Sequence, residues 1–225
     1  MTESPAANTL YTRHDLTIDQ KLALKTTASR LQREFDGVIG VETVERFLHS
    51  SYDHFANRAT VLNFLPLLAE RFSRQQLQAL AKVEGKAHTG TPTVLFLCTH
   101  NAGRSQMALG FFTHLAGDKA VAWSGGSEPG NEINPAAIEA MREVGIDITG
   151  EFPKPWTDEI VRAADVIITM GCGDTCPLYP GRRYEEWALE DPAGLGVDAV
   201  RPIREQIETR VRHLLAELDI PTTLS

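Results

Sequence analysis

Apolar residues recur at helical spacing through the first third of the chain. Ile18, Leu22, Leu24, Ala28, Leu31 and Phe35 predict a helix from Thr17 that stops at Asp36-Gly37. Glu42, Val44, Phe47, Leu48, Tyr52 and Phe55 mark a second. A third pattern runs from about Thr60 through Leu62, Leu65, Leu68 and Phe72, with Pro66 either kinking it or lying in its first turn. Ser73 then reads as the N-cap of a last helix carrying Leu77, Leu80 and Val83. Connections this short imply an antiparallel bundle of three or four helices over residues 1–88, behind a loose leader of about 14 residues. Lys86 to Pro92, punctuated by Gly90 and Pro92, is a linker.

Beyond the linker the period changes. Val94 to Leu97 is a strand that runs into Cys98, and a helix starts at Ser105 and ends near Ala116. A short strand at Ala120–Trp123 precedes a glycine-rich turn, Ser124 to Ser127. Asn134-Pro135 opens a helix as cap and first residue, and it runs to Val144-Gly145. A short helix within Trp156–Ala164, the apolar strand Val166–Met170 and an amphipathic helix from Val200 to Leu218 complete the series. The alternation predicts an α/β domain over residues 91–220, a small parallel sheet flanked by helices, preceded by the all-α bundle. Ligands of such sheets bind at the carboxyl ends of the strands.

Composition narrows the function classes. The 225 residues, 42% hydrophobic, suffice for one large or two small cores. The net charge of -8 is uneven: residues 1–88 carry 11 Lys and Arg against 10 Asp and Glu, and residues 89–225 carry 11 against 20. That excess speaks against nucleic acid as a partner. The absence of a signal-peptide pattern or a long apolar run predicts no membrane association and a cytoplasmic location. Three cysteines do not make a disulfide scaffold, and an odd number in a reducing compartment points to redox-active, metal-binding or inert thiols.

The candidate chemistry lies in the loop after the first strand. Thr99, His100, Asn101, Ala102, Gly103, Arg104 and Ser105 are small or polar and lead directly into a helix. Their N–H groups, the helix N-terminus and the Arg104 fork suit a tetrahedral oxyanion. The same field favours the thiolate of Cys98, the form that acts as a nucleophile. Cys172 and Cys176 lie in a second glycine-rich loop just past the strand ending at Met170, so both loops share one rim. A zinc site needs four ligands, and His100 is the only obvious addition to the three sulfurs, so no metal is expected. Asp191, before Pro192, reads locally as a turn residue. His49, Tyr52 and His54 lie close together on the second helix; packing residues with solvated tips explain them without a ligand.

Cys98, Thr99, Asn101, Arg104, Ser105, Gln106, Met107 and Ala108 together resemble the phosphate-binding loop of the low-molecular-weight protein tyrosine phosphatase superfamily, and are most similar to thioredoxin-coupled arsenate reductases. The resemblance covers roughly Thr91 to Ile220; the first region resembles a three-helix-bundle module found beside some arsenate reductases. It implies an enzyme that takes arsenate into residues 99–105, forms a Cys98 arseno-adduct with Asp191 as proton donor, and relays oxidation from Cys98 to Cys172 and Cys176. It further implies thioredoxin as reductant, no bound cofactor, and a bundle that docks or forms a homodimer. A low-molecular-weight phosphatase, a mycothiol-coupled reductase and a non-catalytic arsenic sensor are the alternatives. Two departures stand out. Such reductases often place another cysteine before the loop arginine, where this chain has Gly103, and some hold a potassium ion through a Glu where this chain has Leu109.

Overall fold

The computed structural model describes residues 16–57, 64–86, 90–171 and 178–222. In chain order the elements are α1 (Ile18–Glu34), α2 (Val41–Ala56), α3 (Leu65–Val83), β1 (Thr93–Cys98), α4 (Arg104–Ala116), β2 (Val121–Gly126), α5 (Pro135–Arg142), α6 (Asp158–Ala163), β3 (Val166–Met170), β4 (Arg183–Glu186) and α7 (Val197–Glu217). They form two compact units.

The helical unit contains α1, α2 and α3. Thr17 opens α1 with a capping box: its Oγ1 accepts the Gln20 N–H, and Gln20 Oε1 accepts the Thr17 N–H. Leu24, Leu31, Val44, Leu48, Tyr52, Phe72 and Leu77 form its core. One correction concerns Ser73. It caps nothing but lies in the middle of a continuous α3, where its Oγ donates to the carbonyls of Ala69 and Phe47. A serine that satisfies its hydroxyl on the preceding turn has the same sequence signature as a cap. Pro66 sits in the first turn of α3, where a missing N–H costs nothing; Thr60 and Leu62 lie outside the described residues. His49 is exposed whereas Tyr52 and His54 are buried, so the three do not share a ligand face.

The short helix α6 packs against α3 and belongs to this unit, although its neighbours in sequence belong to the other. Its Glu159 Oε1 accepts from Gln76 Nε2 at 3.2 Å, and Gln76 Oε1 accepts from Ser51 Oγ at 3.0 Å. Burial raises the Glu159 carboxyl above the ordinary value, its own backbone N–H and the Gln76 hydrogen bond only partly opposing it.

The α/β unit contains a four-stranded sheet of order β2-β1-β3-β4, parallel throughout. Every residue of β1 is buried, as expected of a central parallel strand. α4, α5 and α7 pack together over Val94, Phe96 and Ile168. The chain leaves β1 for β2 on one side and returns to β3 on the other, which makes the carboxyl end of β1 the topological switch point. There Cys98 stands level with Gly126 and Met170.

Three sequence readings change here. Ser124 to Gly126 are not a turn but the end of β2, paired to β1. The glycines serve close approach: a Cβ at Gly126 would lie 2.6 Å from the Thr99 carbonyl oxygen. The edge strand β4, Arg-Tyr-Glu-Glu, carries no apolar alternation and escapes a pattern-based reading. The last helix starts three residues earlier than expected, at Val197.

Candidate active site

Cys98 ends β1 with its side chain buried, and its Sγ lies 3.0 Å from Ser105 Oγ in the first turn of α4. Ser105 is not the helix cap; Gly103 holds that position. Asn101 Nδ2 donates to Ser105 Oγ at 2.8 Å, which leaves the hydroxyl proton of Ser105 available to the sulfur.

Between them the loop is fixed by its carbonyls. Those of Thr99, His100 and Ala102 accept the N–H groups of Glu128, Gly130 and Asn134, and that of Asn101 accepts Gln106 Nε2. In a trans peptide the next residue's N–H points opposite to the carbonyl. Anchoring four carbonyls to the surrounding structure therefore turns the N–H groups of His100, Asn101, Ala102 and Gly103 to the other side of the loop. Asn101 accomplishes this from a left-handed backbone, φ 47°, a region asparagine enters more readily than other residues with a Cβ. It is held by its Oδ1, which accepts the Lys154 N–H at 3.0 Å and Gln106 Nε2 at 3.1 Å.

Arg104 is almost fully buried, and its Nη2 donates to Asp191 Oδ2 at 2.7 Å while Nη1 reaches the Leu189 carbonyl. Asp191 is about half exposed, with a side-chain accessibility of 49%. Its Oδ1 accepts the Ala193 N–H. The end of β3 closes the other flank: Thr99 Oγ1 donates to the Gly171 carbonyl, and a Cβ at Gly171 would stand 3.0 Å from Arg104 Nη1. Gly171 adopts φ +77°, open to glycine at little cost. His100 is exposed, its Nδ1 3.0 Å from the Glu128 carbonyl oxygen.

The structure thus brings Cys98, Asn101, Arg104, Ser105 and Asp191 together and places Thr99 beside the end of β3. Cys172 and Cys176 lie outside the described residues. Leu109 is buried and its side chain offers no oxygen to a cation.

Three supporting residues escaped the sequence reading. Gln106 donates through Nε2 to both oxygens of Asn101 and to the Phe152 carbonyl. Lys154 is buried, its Nζ within reach of Ser124 Oγ and the Phe152 carbonyl. Asn134 announces itself only as a cap, yet its Nδ2 donates to the Pro192 carbonyl.

The sequence pattern described as low molecular weight phosphotyrosine protein phosphatase matches residues 93–222, and that described as a protein-tyrosine-phosphatase-like N-terminal domain matches residues 24–81. Arsenate reductase 2 of Staphylococcus haemolyticus is 38% identical over 123 residues, 53% of this chain and 92% of its own length. The glutaredoxin arsenate reductase of Synechocystis is 38% identical over 128 residues, 56% of this chain and 97% of its own. The solved thioredoxin-dependent arsenate reductase of Corynebacterium glutamicum is 42% identical, superimposes with a TM-score of 0.79, and is matched over 87% of this chain and 96% of its own.

Proposed function

The chain belongs to the low molecular weight phosphotyrosine protein phosphatase family, and from that premise we propose that it is an arsenate reductase driven by a three-sulfur relay. The observation that carries the chemistry is the loop itself, with its N–H groups turned to one side, the Cys98 sulfur at one end and the Arg104 guanidinium at the other. The substrate follows from the arsenate reductases to which the chain is similar.

Arsenate enters between residues 99 and 105 and takes over the guanidinium that Asp191 holds in its absence. The Cys98 thiolate attacks arsenic, an As–O bond breaks, and Asp191 supplies a proton so that the oxygen leaves as water. The Ser105 hydroxyl, directed at sulfur by Asn101, steadies the thiolate before attack. Cys172 then attacks the Cys98 sulfur. The S–S bond forms, the S–As electron pair passes to arsenic, and arsenite departs in the trivalent state. Cys176 displaces Cys98 from Cys172, leaving a Cys172–Cys176 disulfide whose two electrons are restored by the dithiol of thioredoxin. Such thiols belong in a reducing cytoplasm.

The helical unit is proposed to join two copies. Between α1 and α3 it carries a groove of about 550 Å³, lined in part by Leu22, Pro66 and Leu67. Ile18, Leu22, Phe64 and Leu67 expose large apolar side chains on these helices and at their entry, a liability on a free surface.

The test is arsenate-dependent NADPH consumption with thioredoxin and its reductase, on the intact chain and on Cys98→Ser, Cys172→Ser and Cys176→Ser. Loss of turnover in all three supports the relay. A phosphatase reading needs only Cys98, Arg104 and Asp191, so dependence on Cys98 alone with efficient p-nitrophenyl phosphate hydrolysis would replace the reductase reading. Dispensability of Cys176 with mycothiol supplied would move the electron donor to that thiol.

A further inference from the structure

Asn134 uses more of its polar groups than a helix cap requires. Its Oδ1 accepts the N–H groups of Ala136 and Ala137 at 2.8 and 3.2 Å, and its carbonyl accepts that of Ile138. Those bonds are capping. The remaining two are not: its N–H donates to the Ala102 carbonyl at 2.9 Å, and its Nδ2 donates to the Pro192 carbonyl at 3.0 Å. One residue therefore touches both the loop after Cys98 and the turn that carries Asp191. The same two segments meet a second time where Pro192 packs on Gly103, its Cγ only 2.6 Å from where a Cβ would stand. The Pro192 carbonyl also accepts the Leu195 N–H at 3.2 Å, closing the turn. Asp191 itself is half exposed; besides the Ala193 N–H of its own turn, its carboxyl is held only by Arg104, the guanidinium that an incoming oxyanion takes over.

We propose that Asn134 is a positioning residue for the proton donor: through the Pro192 carbonyl it sets the Asp191 turn at a fixed distance from residues 99–104. The proposal rests on the reading of Asp191 as the acid. Misplacing a reacting group by about 1 Å costs up to about 10²-fold in rate. Once the oxyanion has taken the Arg104 guanidinium, the tied-down turn is what keeps the carboxyl in place.

Serine caps helices as well as asparagine does. Asn134→Ser therefore keeps the cap and the backbone N–H to Ala102, but its hydroxyl is too short to reach Pro192. Asn134→Asp, isosteric and also a good cap, sets an acceptor against the Pro192 carbonyl. Each is measured in the full-length chain by the single-turnover rate of arsenite formation at saturating arsenate, the half-saturating arsenate concentration, and the thermal midpoint. The expected result for both is a rate about tenfold lower, with half-saturation unchanged and the midpoint lowered by only about 2–4 °C, the scale of one lost hydrogen bond. In an Asp191→Asn background, Asn134→Ser is expected to lower the rate by less than about twofold, because the two positions act as one unit. A full further loss in that background, or an unchanged rate for both single variants while Asp191→Asn is slow, overturns the proposal and leaves the acid reading standing. An unchanged rate for Asp191→Asn itself removes the acid reading, and the positioning role with it.

Discussion

Arg104 and Glu70 are both charged and both nearly buried, yet their surroundings differ in kind. Glu70, in the helical unit, is bound on all sides: Arg30 Nη2 at 2.6 Å, Arg74 Nη2 at 2.9 Å and the Thr27 hydroxyl at 3.5 Å. Arg74 is itself fixed by both oxygens of Glu34. Arg104 has one carboxylate, on a half-exposed side chain, beside a row of N–H groups turned to one side. A buried charge shared among two guanidinium groups and a hydroxyl holds structure, because losing one partner leaves the others in place. A buried charge with a single half-exposed carboxylate can exchange that partner for an incoming ion.

Substitutions that preserve charge but alter geometry probe this difference most sharply. Arg104→Lys keeps the cation and its attraction for Asp191 but loses the two-pronged fork. The expected outcome is a fall in kcat/KM for arsenate of about 10² to 10³-fold, the scale of losing an oriented donor to a developing charge. Activity close to wild type would make Arg104 an ordinary ion-pair residue like those around Glu70.

Glu70→Gln is the converse experiment. It leaves Arg30 and Arg74 without their shared carboxylate, but both retain access to water, so the effect is modest. The thermal midpoint is expected to drop by about 2–4 °C, as about 1 kcal/mol does in a chain of this size, with kcat for arsenate unchanged. A large loss of activity would give the helical unit a part in the chemistry.

The smallest effect is expected at Glu159, whose buried carboxyl is raised above its ordinary value. The folded protein then binds more protons than the unfolded chain above the unfolded value, so stability falls as pH rises through that window. Glu159→Gln keeps a side chain able to pair with Gln76 and is expected to raise the thermal midpoint at pH 7. The gain should vanish towards pH 4, and scanning calorimetry across that range reads it. An equal gain at both pH values would trace the effect to packing rather than charge.

The site was legible in the sequence where its chemistry is local. Cys98, Asn101, Arg104 and Ser105 fall within eight residues, and a strand running into a polar loop and a helix shows where they must lie. Asp191 followed from family resemblance, because an aspartate before a proline looks like any turn. Gln106, Lys154 and Asn134 were invisible as supports since their partners, Phe152, Ser124 and Pro192, are 30 to 58 residues away. The same limit explains the fold. α1 and α2 carry their caps or stops and their period locally, whereas β4 exists only because β3 lies beside it. Ser73 misled for the opposite reason, a local signal overridden by a continuous helix packed on both sides.

The seating of Pro192 on Gly103 also bears on the order in which sequences of this kind can change. The resemblance of the loop to such reductases leads one to expect a cysteine where this chain has Gly103. Any side chain introduced there in the present chain collides with the proline ring before it can contribute a thiol. Either the proline ring shifts or a smaller residue stands at 192, and both loosen the turn behind Asp191. The two positions are therefore expected to be inherited as a pair, and a lineage that has acquired this packing is turned away from a fourth sulfur in the loop.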